Sequence, residues 1–168
     1  MKKFLLFFCF LVLGIGIINY PTHSKAYEFN NQNVGYNVQY TNLSSANAYL
    51  SHLNYATTWT YQGGKVFVSQ FSGSGFINIF QGFVDTDNGV YATCYYNTNR
   101  ESDIRYYKLF KDASSAMKNE TVVHEVGHAI GLGHTQTANE SNSVMREHGF
   151  NNKAYPLSDD KAGINAKY

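Results

Sequence analysis

Apolar and polar residues alternate with a period that changes several times along the chain, and each change marks an element. Ala46, Tyr49, Leu50, Leu53 and Ala56 recur at intervals of mostly three and four behind Ser44 and Ser45, either of which can cap a helix. A helix is therefore predicted from about Ser45 to Thr58. Five stretches rich in Val, Ile, Tyr and Phe read as short strands: Val34 to Tyr40, Lys65 to Phe71, Phe76 to Phe83, Gly89 to Tyr96 and Ile104 to Phe110. Gly63-Gly64 and Ser72-Gly73-Ser74-Gly75 fall between strands as turns. A second helix should start between Asp112 and Ser115 and run to Leu132. Val122, Val126 and Ala129 would lie on one side of it and, at 100° per residue, His124 and His128 on the other. A short final helix from about Ser158 to Ala166 has Ser158 as its expected cap, with Asp159 and Asp160 at its positive end.

The amino terminus breaks this pattern. Met1-Lys2-Lys3, an apolar run from Phe4 to Ile18, the stretch Asn19 to Lys25 and the small Ala26 have the three-part layout of a secretory signal peptide. The expected organisation is a signal peptide at 1–26 and one domain at 27–168, long enough to bury a single core. No later run reaches the ~18 apolar residues of a membrane span, so the expected product is extracellular, either free or associated with a cell wall, and not membrane-bound.

Composition narrows the picture further. Thirteen basic residues against twelve acidic ones leave no electrostatic footprint for nucleic acid. Cys9 falls in the signal peptide, so Cys94 is the only cysteine of the domain and no internal disulfide is expected. Stability must come from packing and metal, which with the Asn-, Tyr- and Lys-rich composition leans toward a bacterial source. Cys94 itself reads as a half-buried core residue, since no cationic neighbour in sequence would activate it.

The chemistry is concentrated in His124-Glu125-Val126-Gly127-His128-Ala129-Ile130-Gly131-Leu132-Gly133-His134, which fits H-E-x-x-H-x-x-G-x-x-H at every fixed position. Two histidines four apart on a helix lie one turn above each other, so both imidazoles can reach one ion at ~2.0–2.1 Å. Glu125 then stands beside the cleft without pointing straight at the metal, as suits a general base that holds water. Gly131 lets the chain leave the helix in a left-handed conformation, and His134 swings back as the third ligand. Three imidazoles with a fourth position open describe a catalytic zinc site; a structural one would want a fourth protein ligand and has no need of Glu125. His52 and His148 read as ordinary surface residues.

On these residues the chain resembles the metzincin peptidases, and within them it is most similar to the matrixins in a short form. Besides the motif, the resemblance rests on Thr135 after the third histidine, on Met145 in Ser143-Val144-Met145, similar to a Met-turn, and on Pro156-Leu157-Ser158-Asp159-Asp160-Lys161-Ala162-Gly163-Ile164, similar to the start of the closing matrixin helix. It implies an α+β fold: a twisted five-stranded sheet, mostly parallel with one antiparallel edge strand, two long helices, and a small C-terminal subdomain with a short final helix. It also implies that Met145 floors the site without binding metal. Glu147 stands where astacins and serralysins carry a tyrosine, so no fifth, tyrosyl ligand is expected. The stretch from Ala26 to the first strand is too short for the cysteine-bearing prosegment that keeps many matrixins latent, so export in active form, or restraint by something else, is expected. Asp85-Thr86-Asp87-Asn88-Gly89 resembles the opening of a calcium loop but lacks the later acidic ligands, and a turn is the favoured reading. The histidines for a second zinc are missing.

The implied activity is peptide-bond hydrolysis by a monomeric, secreted zinc endopeptidase, with Glu125 passing a proton from water to the leaving amine. A peptide or protein substrate would pair with the edge strand at Gly89 to Tyr96, and specificity would fall to a pocket walled by the loop from about Arg146 to Tyr155. Two alternatives compete: a narrow or inactive zinc-binding module of the same fold, whose usual mark would be loss of Glu125, and an enzyme acting on a non-peptide amide such as one in a cell wall.

Overall fold

The computed structural model describes residues 27–168; the predicted signal peptide lies outside the described residues. Five strands, β1 (Asn37–Asn42), β2 (Phe67–Gln70), β3 (Ile79–Phe83), β4 (Ala92–Tyr96) and β5 (Ser102–Tyr106), form one sheet in the order β2-β1-β3-β5-β4. All neighbours run parallel except β4, which pairs antiparallel with β5 and stands at the edge. The expected mixed sheet with one reversed edge strand is thus present, within an α+β fold. Each strand is shorter than its apolar run, and the last is displaced: it ends at Tyr106, and Lys108–Asp112 turns into the short helix α2. Phe110 leaves the strand alternation because it is buried from that helix against Tyr49 and Tyr106, with ring centroids 5.4 and 4.5 Å away.

The first helical segment differs most from expectation. In place of one continuous helix, residues 44–59 form a 3-10 stretch (Ser44–Tyr49), a single α turn, α1 (Leu50–Leu53), and a second 3-10 stretch (Asn54–Trp59). Ser, Asn and Thr offer the backbone competing local bonds, and here Thr57 and Thr58 donate their hydroxyls to the carbonyls of Asn54 and Tyr55. Ala46, Leu53, Ala56 and Trp59 still reach the core, while Leu50, expected on the apolar stripe, is 41% exposed.

The main helix, α3 (Ser115–Ala129), begins where Ser114 accepts the Met117 N–H and ends three residues before the predicted Leu132. Val122, Val123, Val126 and Ala129 are fully buried. Trp59 joins the two helical regions by donating Nε1 to the Val123 carbonyl at 2.9 Å. His52 also faces α3, half-buried, with Nδ1 2.6 Å from Asn119 Oδ1; the surface position expected for it is corrected, because its segment packs directly on that helix.

The closing helix, α4 (Ser158–Lys167), is capped by Asp160 reaching back to the Leu157 N–H, and Ser158 is its first residue, not its cap. Asp160 is far more than a surface acid at a positive helix end. Only 1% exposed, its carboxylate accepts from Ser143 Oγ and from the N–H groups of Val144 (2.8 Å) and Leu157 (2.7 Å). Burial raises its pKa, and those donors counteract the rise. Asp160→Ala would leave three donors unpaired in the interior and should cost about 3 kcal/mol or more. Urea unfolding checks this as a lower midpoint at unchanged slope, with Asp160→Asn between the two.

Candidate active site

Each histidine of the motif is aimed by a different piece of backbone. His124 and His128 lie one turn apart on α3, with ring centroids 4.6 Å from each other. His124 Nδ1 donates to the Val144 carbonyl and His128 Nδ1 to the Leu132 carbonyl, both at 2.9 Å. A carbonyl only accepts, so Nδ1 carries the hydrogen and the Nε2 lone pair faces the cleft. His134 arrives from the loop beyond Gly131, whose φ of 105° makes the left-handed exit that its glycine identity implies. A Cβ at Gly131 would also stand 2.8 Å from the Gln32 carbonyl and overlap the Lys167 stem.

His128 Nε2 and His134 Nε2 lie 3.1 Å apart, and the ligand atoms of all three histidines fall within 4.8 Å of one another. Two nitrogens bound at ~2.0–2.1 Å to one tetrahedral ion would be about 3.3 Å apart. The donor set, its oriented lone pairs and its spacing fit zinc. Among the described residues this is the one group of three or more such side chains close enough to share an ion. Asp85 to Gly89 is exposed and irregular; Asp87 accepts from the Gly89 N–H at 3.3 Å and Asp85 pairs with Lys111 at 3.8 Å.

Burial sets the protonation of the cluster. It pulls the His124 pKa from its ordinary 6.5 to about 4, and lowers His128 and His134 as well. Glu125, 7% exposed, is pushed by burial up to about 8, with the Cys94 main-chain N–H offsetting part of the rise. That N–H lies on the side of β4 turned away from β5, so edge strand, glutamate and histidines line one cleft of about 580 Å³ together with Tyr91, Arg146 and Phe150. Cys94 is half-buried as expected, and burial pushes its thiol up, away from reactivity. His148, exposed, stands at the cleft rim.

Met145 lies beneath α3 at the one position without a side chain. A Cβ on Gly127 would overlap Met145 Sδ and stand 2.8 Å from the Trp59 ring. Thr135 holds the same turn, donating its N–H to the Met145 carbonyl and its hydroxyl to Asp159, both at 2.7 Å.

Sequence reasoning missed Asn30. Its amide donates to the His128 and Leu132 carbonyls at 2.9 Å and to the Tyr96 hydroxyl at 3.0 Å, so it caps the end of α3 and holds the carbonyl that orients His128. The neighbouring backbone pairs with the same loop through Asn30 N–H to Gly131 O and Gly133 N–H to Glu28 O. No local pattern signals a contact between residues about a hundred apart; only the fold brings them together.

The family profile described as Matrixin matches residues 19–168. No curated protein matches the chain in sequence. Among solved structures the fold is similar to two of myroilysin. One has a TM-score of 0.56 at 16% identity, covering 79% of this chain and 92% of that one. The other has 0.53 at 18%, covering 89% and 88%.

Two outcomes follow from this geometry. Gly127→Ala should destabilise the protein by about 1–3 kcal/mol through overpacking, seen as a lower Tm and, since Trp59 is the only tryptophan, as altered intrinsic fluorescence. Because folded His124 protonates near 4 and an unfolded histidine near 6.5, the unfolded chain binds more protons between those values. Glu125, raised from 4.5 to about 8, acts in the opposite sense over part of that window, so the effect is read in Glu125→Gln: that variant, metal-free, should lose stability as pH falls from 6.5 toward 4, and a flat urea midpoint there would contradict a neutral, buried His124.

Proposed function

The chain belongs to the matrixin family of zinc metalloendopeptidases, and on that premise we propose that it is exported by a signal peptide at 1–26 and acts outside the cell through one catalytic domain, 27–168. In this reading His124, His128 and His134 hold one catalytic zinc and Glu125 is the general base. Among the described residues no helix is long and apolar enough to cross a membrane. The observation that carries the reading is the convergence of three imidazoles, two of them oriented through Nδ1–carbonyl bonds, beside a buried carboxylate at an open cleft.

When bound, zinc would supply Lewis acidity, polarising a scissile carbonyl and making water nucleophilic at neutral pH. Glu125 takes the proton of the attacking water and returns it to the leaving amine. The Cys94 main-chain N–H, which Glu125 accepts, holds that carboxyl at the cleft for both halves of the transfer. Met145 and Gly131 support the ligands by packing and by backbone shape. A peptide extended along β4 would use the edge not paired with β5, giving backbone affinity without reading sequence. Selectivity then falls to the part of the cleft walled by the loop after Met145, with Phe150 edge-on to Tyr91 at 5.1 Å.

Hydrolysis of a quenched fluorescent casein tests this. The zinc-loaded protein should be active, a chelator should abolish activity, and Glu125→Gln should keep one zinc while losing about 10²–10⁴ in rate. Stoichiometric zinc without turnover in the unaltered protein would favour a non-catalytic module.

A further inference from the structure

Glu120 sits on α3 one turn before His124, is 2% exposed and lines the cleft. An acid buried this deeply on the cleft side of a helix must be answered by donors, and both backbone donors come from the loop after Met145. Oε1 accepts the Asn151 N–H at 2.9 Å and Oε2 the Lys153 N–H at 3.2 Å. Between them Asn152 has a φ of 59°, the one non-glycine residue with positive φ among those described. That left-handed residue lets main-chain N–H groups two residues apart converge on one anion, the backbone arrangement that binds free phosphates and carboxylates elsewhere. Here the anion is built in.

The site therefore has two buried carboxylates with separate tasks. Asp160 holds Ser143 and Val144, and through the Val144 carbonyl it steadies His124. Glu120 holds Asn151 and Lys153, next to Phe150, which walls the cleft against Tyr91. Resting on the endopeptidase reading above, we propose that Glu120 is a positioning residue for substrate selectivity: it clamps the pocket wall to the active-site helix and so sets which side chain the cleft accepts, without contributing to metal binding.

Cleavage-site profiling of a mixed peptide pool by mass spectrometry, with zinc content measured alongside, tests this on the zinc-loaded full chain. The unaltered protein should discriminate at one subsite by about 10- to 200-fold between best- and worst-fitting side chains. Glu120→Ala should cut that ratio about tenfold, chiefly through KM, leaving preferences at the other subsites within about twofold and zinc at one per chain. Asn152→Val strains the same turn from its exposed side, leaves α3 untouched, and should relax the same subsite; Asn152→Gly should not. The Asn152 pair keeps the test intact if Glu120→Ala fails to fold. An unchanged profile in Glu120→Ala and Asn152→Val, or an equal loss at every subsite accompanied by loss of zinc, would overturn the proposal. Absence of any cleavage by the unaltered protein would instead remove the endopeptidase reading, and the proposal with it.

Discussion

The structure turns on one requirement: an imidazole offers its Nε2 in a fixed direction only when its Nδ1 hydrogen is held from behind. A helix cannot do this for its own histidines, because its carbonyls are already committed to helical bonds. The acceptors must come from chain that has left the helix. His124 is held by Val144, beyond the third histidine, and His128 by Leu132, in the exit itself. The sharp turn at Gly131, the antiparallel bridge from Phe29 to Leu132 and the return of the chain through Met145 are consequences of supplying two carbonyls at those points.

Those carbonyls are in turn fixed by polar side chains, one fully buried and one half-buried. Asp160 and Asn30 each satisfy several main-chain groups of irregular segments that have no regular partner, which is the accounting any buried loop must meet. Glu120 does the same for the pocket wall. Apolar packing then locks the arrangement from below, with Met145 against Gly127 and Trp59 bonded to Val123. A domain without a disulfide thus stiffens its working loops with carboxylates and amides donated from regular elements.

The cleft combines two surfaces of different character. One is the outer edge of β4, where Glu125 accepts the Cys94 N–H, and the other is the loop after Met145, whose Asn151 and Lys153 N–H groups Glu120 accepts. In the proposed reading, backbone affinity and selectivity fall to different parts of the cleft, both apart from the histidines and Glu125.

Much of this could be read from residues alone, and the reason is locality. The four-residue spacing of His124 and His128, the carboxylate between them and the glycine at the exit express their geometry within a single turn of helix, so their convergence follows from helical periodicity. The order of strands and helices followed from the hydrophobic pattern, while the mostly parallel sheet with its reversed edge came through the family resemblance carried by that motif. What only the tertiary structure decided are the features made by distant partners: Asn30 on the end of α3, Asp160 beneath the Met145 turn, Glu120 on the loop, and the 3-10 character of residues 44–59. The sequence placed Asp160 at a helix end, where its charge is favourable, but its burial depends on chain that folds over it. Local spacing specifies which groups can act together; only long-range closure specifies what holds them still.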